Sequence, residues 1–169
     1  MGAYRWLVTS FITPTTDEKI EYTDEEIRTD AATGSARLKW VVIVDRSLPA
    51  GSAVNAAICV AASTSPDIPG LLGPGGRDAS GTWHRGLPWA GCSVLGAEPA
   101  ELAALRQRAL AQGFHVTAMP AAAQATRVYD DYLAALARTD ADDLQLLALS
   151  VVGPRNRVAK LVKRLELLP

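Results

Sequence analysis

The stretch Lys39 to Ala62, KWVVIVDRSLPAGSAVNAAICVAA, decides the fold. It begins in Leu38 to Val44, a continuous run of β-branched and aromatic side chains, the pattern of a central strand buried on both faces. Asp45-Arg46-Ser47-Leu48-Pro49 is the loop that leaves it. Gly51 to Ser63 is almost entirely small and apolar. Alanine favours helix, and close packing on a sheet needs such small side chains. Strand, loop and helix in this order open an α/β layer.

The rest of the chain repeats the alternation. Cys92 to Leu95 and Phe114 to Met119 read as strands, and Leu144 to Val152 as another buried one. Glu98 to Gln112 is a well-signalled helix, with Pro99 in its first turn and Gly113 at its end. Leu102, Leu105 and Ala109 form its apolar stripe. Ala121 to Arg138 reads as a second helix, with Ala125, Val128, Tyr129, Tyr132, Leu133 and Leu136 on one face and core packing expected for Tyr129. A basic amphipathic helix is expected from about Arg155 to Arg164. Strands alternating with helices predict a single α/β domain with a mixed, mostly parallel sheet flanked by helices. The domain is expected over 36–169. Residues 1–35 read as an N-terminal arm, with a strand or ordered arm at Tyr4 to Thr13 and a short helix near Asp24 to Thr29 opened by a Thr23 to Glu26 capping box.

Composition narrows the function classes. The 169 residues fit one domain, and 49% hydrophobic content suffices for a core. A formal net charge of −1 gives no global attraction for nucleic acid or anionic lipid. No charge-free run reaches spanning length, so no membrane association is expected. The start lacks a signal-peptide layout, and a reducing cytoplasm is the expected location. The two cysteines, Cys59 and Cys92, form no CxxC pair. The two histidines, His84 and His115, stand far apart without a carboxylate cluster, so no metal and no cofactor are expected. No GxGxxG follows the first strand.

Two segments resemble peptidyl-tRNA hydrolase type II. One is Lys39 to Ala62, and the other is Leu146 to Leu168, LLALSVVGPRNRVAKLVKRLELL. They are similar to that family's opening strand, loop and helix, and to its final strand, Gly-Pro turn and closing helix. The closer resemblance, from about Ala36 to the C-terminus, is to a bacterial family known only as domain of unknown function 2000. It is carried by Leu48-Pro49-Ala50-Gly51, Asn55-Ala56-Ala57, Gly73-Pro74, Asp78, Gly81, His84, Gly86, Gln124-Ala125, Tyr129, Tyr132 and Val152-Gly153-Pro154. The resemblance implies a peptidyl-tRNA hydrolase type II-like fold. It also implies that hydrolysis is lost. The hydrolase's helix-opening Gly-Lys aligns with Ala53-Val54, its helix glutamine and histidine with Ile58 and Ala61, and its catalytic aspartate with Met119 or Pro120. Only Gln124 of the later motif is matched. Methionine and valine cannot do general acid–base work or stabilise charge.

The best catalytic candidate is His84, an imidazole in a glycine-rich loop that Asp78 would orient. The competing role is a loop-structuring histidine. Asn55 on the first helix, and Asp45 at the end of the first strand, lie where open α/β sheets bind ligands. Gln124, Arg127 and Tyr129 open the second long helix, whose N-terminus offers N–H groups to an anion. Trp83 and Trp89 flank the loop and wall a pocket or merely anchor it. The long loop Pro66 to Pro88 is expected to fold over the sheet edge and bring His84 to Asn55. Arg155, Arg157, Lys160, Lys163 and Arg164 make a basic face, read as solvated in preference to phosphate- or RNA-binding. Two functions stand nearly level: an enzyme acting on a small amide, ester or aminoacyl group, and a non-catalytic module for a small polar ligand or a protein partner. Residual tRNA binding ranks below both. A homodimer is left open, because Met1 to Phe11 is apolar enough to need a partner surface.

Overall fold

The computed structural model describes residues 19–169, so the expected arm at Tyr4 to Thr13 and the dimer surface on Met1 to Phe11 lie outside the described residues. Strand β1, Leu38–Asp45, is the middle of a five-stranded sheet. Helix α1, Ala50–Thr64, follows it. A small hairpin comes next, β2 Gly76–Arg77 and β3 Trp83–His84. Then come β4 Ser93–Ala97, α2 Pro99–Ala111 and β5 His115–Pro120. Two short helices follow, α3 Ala122–Ala125 and α4 Tyr129–Leu136. The chain closes with β6 Leu146–Pro154, α5 Arg155–Leu161 and β7 Glu166–Leu167.

The sheet order is β5-β6-β1-β4-β7. Only β1 and β4 pair in parallel; β1–β6, β5–β6 and β4–β7 are antiparallel. The expectation of a mostly parallel sheet is therefore corrected to a mixed, mostly antiparallel one. The reason lies in neighbours, not directions. The pairings make β1, β4 and β5 run the same way, as strands joined through helices should. Strand β6, running opposite, inserts between β1 and β5 and turns two contacts antiparallel.

Both faces of the sheet are covered, which is why β1 and β6 read as unbroken apolar runs. Trp40, Val42, Val44, Ala148 and Val152 face α1. Val41, Ile43, Leu149 and Val151 face α2 and α5 with Leu102, Leu105, Ala109 and Val158. Helix α1 buries Ala53, Ala56, Val60 and Thr64, one every turn. The centre of that contact is Ala56, which is fully buried, while Ala57 is half-buried. Under α1 lies a polar cluster. Trp40 Nε1 donates to Ser150 Oγ at 2.8 Å, and Ser150 Oγ lies 2.7 Å from Thr64 Oγ1, which in turn reaches the Val60 carbonyl at 2.8 Å. One arrangement of hydroxyl hydrogens satisfies the whole chain, so these buried groups carry no desolvation penalty.

Three element boundaries differ from the sequence reading. The helix expected at Asp24 to Thr29 is a single 3₁₀ turn, Asp24–Glu26, and its segment enters the core through Tyr22. The last helix stops at Leu161, leaving Glu166–Leu167 to add a short edge strand. The helix expected from Ala121 to Arg138 is broken: Thr126 and Val128 are extended. Both are β-branched, which disfavours helix. The break frees the face read as core: Tyr129 is 72% exposed and Val128 and Leu133 are exposed too.

Candidate functional site

Helix α1, the edge strand β5 and the α3–α4 turn enclose a cleft of about 550 Å³. That size suits a small molecule. Each wall follows from local sequence. The α1 side of the wall is small because that helix is alanine-rich, leaving Asn55, Cys59 and Ser63 beside the opening. Strand β5 contributes Thr117 and Met119 from its α1-facing side. The break at Thr126 to Val128 turns the chain outward and presents Arg127, Tyr129 and Tyr132.

Two amides join the walls. Gln124 Nε2 donates to the Ser52 carbonyl at 2.9 Å and to Asn55 Oδ1 at 3.1 Å, using both of its hydrogens. The Asn55 NH₂ has no partner among the described residues. Tyr129 and Tyr132 meet edge to face with centroids 5.5 Å apart. Arg127 is exposed and pairs with no carboxylate among the described residues. Among the described residues, no carboxylate and no imidazole lines the cleft. It can bind a polar or anionic group beside an aromatic surface; its titratable lining groups, besides Arg127, are the Cys59 thiol and the Tyr129 and Tyr132 phenols.

The other expected residues go elsewhere. His84 and Asp78 do come together, with Nε2 and Oδ2 3.0 Å apart, but on the β2–β3 hairpin. The expectation that the loop carries His84 to Asn55 is corrected: neither His84 nor Asp78 lines the cleft, and the His84 side chain is 64% exposed. The hairpin closes on itself instead. Asp78 Oδ1 accepts the Ser80 and Thr82 backbone N–H groups at 2.8 and 3.0 Å, and Gly81 turns at a φ of +83°. The His84 imidazole, then the Thr82 N–H, hold the Asp78 carboxyl below its usual range. Trp83 is exposed beside the Arg77 guanidinium, 5.7 Å away, and walls no part of the cleft. Trp89 is the anchor: its Nε1 donates to the Gly70 carbonyl at 2.9 Å, and its ring meets Tyr22 edge-on.

Asp45, a candidate by its place at the end of the first strand, is buried and does not line the cleft. Its Oδ1 accepts the Ser47 N–H at 2.8 Å and the Ser47 hydroxyl at 2.7 Å, which fixes the turn into α1. Arg46 reaches across to Glu98 and the Gly96 carbonyl. The helix N-terminus expected to hold an anion at Gln124 is one turn of four residues, and Arg127 is the cation that lines the cleft beside it. Cys59, Thr117 and Tyr132 were not singled out as site residues. Tyr132 had a signal, its helical spacing from Tyr129, but spacing alone does not say whether a face meets core or cleft.

The sequence model of the family described as protein of unknown function (DUF2000) matches residues 38–169, and the chain belongs to that family. Among solved structures it is similar to a protein of unknown function, Atu0240, from Agrobacterium tumefaciens strain C58. The identity is 17%, the TM-score is 0.69, and the match covers 78% of this chain and 97% of the other. That likeness is one of fold. No curated protein matches the chain. No helix among the described residues is long and apolar enough to cross a membrane.

Proposed function

We propose that this member of the family is a small-molecule-binding module whose ligand sits in the cleft between α1, β5 and α3–α4. The observation that carries the proposal is the wall itself: Asn55 held by Gln124, an Arg127 with no carboxylate partner among the described residues, and an aromatic edge, with no carboxylate or imidazole among the lining residues described. The ligand class is a small organic molecule with a planar apolar part and one anionic group, the first against Tyr129 and Tyr132, the second on Arg127 and the Asn55 NH₂. Titration with anilinonaphthalene sulfonate, an anionic aromatic probe, tests it. Saturable binding that weakens in both Arg127→Ala and Tyr129→Ala supports the reading. Binding indifferent to both substitutions overturns it.

The scaffold in this proposal is peptidyl-tRNA hydrolase type II-like, on the strength of the two matched segments. Met119, aligned with the hydrolase's catalytic aspartate, lines the same cleft, and Gln124, its one matched polar residue, holds Asn55 in the cleft wall. No release from labelled peptidyl-tRNA is expected, and turnover at an enzymatic rate would contradict it. The runner-up is an enzyme acting on a small amide, ester or aminoacyl group through His84 and Asp78. Their 3.0 Å approach favours it, since a carboxylate so placed orients an imidazole. Hydrolysis of a nitrophenyl ester that disappears in His84→Ala would promote this reading over the first. A reducing location fits the two unpaired cysteines, Cys59 and Cys92.

A further inference from the structure

A second cleft, of about 570 Å³, lies on the opposite face of the sheet between α2 and α5. Its rim holds Arg108, Arg157, Lys160, Lys163 and Arg164, with Glu101 as the one carboxylate. The chain as a whole carries a net −1, so five cations against one acid in a single concavity is a concentrated local field. None of the five forms a salt bridge with a described residue. Like charges brought together without counter-charges repel, so an anion would relieve the cleft.

The cleft is more than a solvated helix face. Arg157 is half-buried and fixed: its Nη2 donates to the Gln112 carbonyl at 2.8 Å, and its guanidinium stacks 5.0 Å over the Phe114 ring. That leaves other N–H groups of a preorganised fork free for oxygens. Lys160 follows one turn later on α5, and Arg108 faces them from α2. Leu105 and Leu161, both buried, form an apolar floor with Leu165. Arg155, grouped with this basic face by sequence, is not part of it; it holds the Ala36, Thr33 and Leu38 carbonyls instead.

We propose that the α2–α5 cleft is a binding site for a small phosphorylated organic molecule, its phosphates on Arg108, Arg157 and Lys160 and its carbon part on the leucine floor. Clustered cations with a guanidinium fork match phosphate oxygens. The short concave shape and apolar floor favour a small ligand over an extended strand, which would need a longer basic track. The site is independent of the α1–β5 cleft and of the reading given to it.

Calorimetric titration of the full chain with inorganic pyrophosphate at low ionic strength tests the proposal. Saturable binding is expected, weakened about tenfold or more by Arg108→Ser combined with Lys160→Ser. Arg108→Lys should retain part of the affinity, and Arg138→Ala, exposed and in the lining of neither cleft, all of it. The melting temperature of each variant without ligand reports its folding. Should the double variant fail to fold, Lys160→Ser alone, at an exposed position, gives the same comparison. Absence of saturable binding, or binding that survives the double substitution, overturns the proposal. So does a single-stranded RNA oligonucleotide that binds more tightly than pyrophosphate with a steeper salt dependence, because the surface is then a nucleic-acid track.

Discussion

Gln124 Nε2 lies 3.1 Å from Asn55 Oδ1, and this contact ties α3 to α1 across the mouth of the cleft. The same nitrogen donates to the Ser52 carbonyl, so both amide hydrogens end on oxygens. Gln124→Glu removes both donors and sets a carboxylate against two acceptors. The expected loss is about 1–3 kcal/mol, larger than for Gln124→Ala, where the carbonyls can turn to water. Urea denaturation of the two variants checks the order. If glutamate is tolerated better than alanine, the amide is not the tie described.

How much of this was legible in sequence depends on which question a residue answers. Leu38 to Val44 and Leu144 to Val152 announce buried strands because both sheet faces are covered, and the helices beside them follow from alanine content and end signals. What was hidden is who neighbours whom. Nothing local in Leu146 to Pro154 says that it pairs with both β1 and β5. The site divides the same way. The residue types Asn55 and Gln124 pointed to one place, and the fold joins them. His84 and Asp78 also meet, but the glycine-rich loop closes on itself as a hairpin, turning at Gly81, instead of folding over the sheet edge. Tyr129 and Tyr132 showed a helical period, and the period is silent on whether the face is buried.

Ser150 is fully buried between Trp40 and Thr64. Ser150→Ala strands the Trp40 N–H in the core, where no water can replace the lost oxygen. The expected cost is about 1–3 kcal/mol. A lowered denaturation midpoint with an unchanged slope is the expected result. A neutral substitution would mean that the indole has another acceptor.

Acid should loosen the segment that precedes β1. The Arg37 guanidinium, then the Thr23 N–H, hold the Glu26 carboxyl below its usual range. A carboxyl whose folded-state pKa is lowered contributes stability that is present above its ordinary pKa and lost as pH falls through the folded value. Tyr22 and Trp89 pack together beside this segment. Their fluorescence should therefore change on acidification before global unfolding, and the change should be absent in Glu26→Gln. An identical acid transition in that variant would exclude Glu26 as its origin.

The fit of α1 against the sheet is set by Ala56. It is fully buried, in the same core as Ala53 and Val60, with Val42, Val44 and Ala148 on the strands beneath. A leucine there adds three carbons to a packed layer that has Trp40 and the Ser150–Thr64 contact within it. The helix must shift outward or the strands must move, and either response costs about 1–3 kcal/mol. Ala57, one residue on, is half-buried and should accept leucine with a smaller loss. An outward shift of α1 would also move Asn55 and Cys59, which line the cleft. Ala56→Leu should therefore lower the melting temperature and weaken probe binding in the cleft together, while Ala57→Leu changes both less. Equal effects at the two positions would show that α1 is rotated by about one residue from the orientation described.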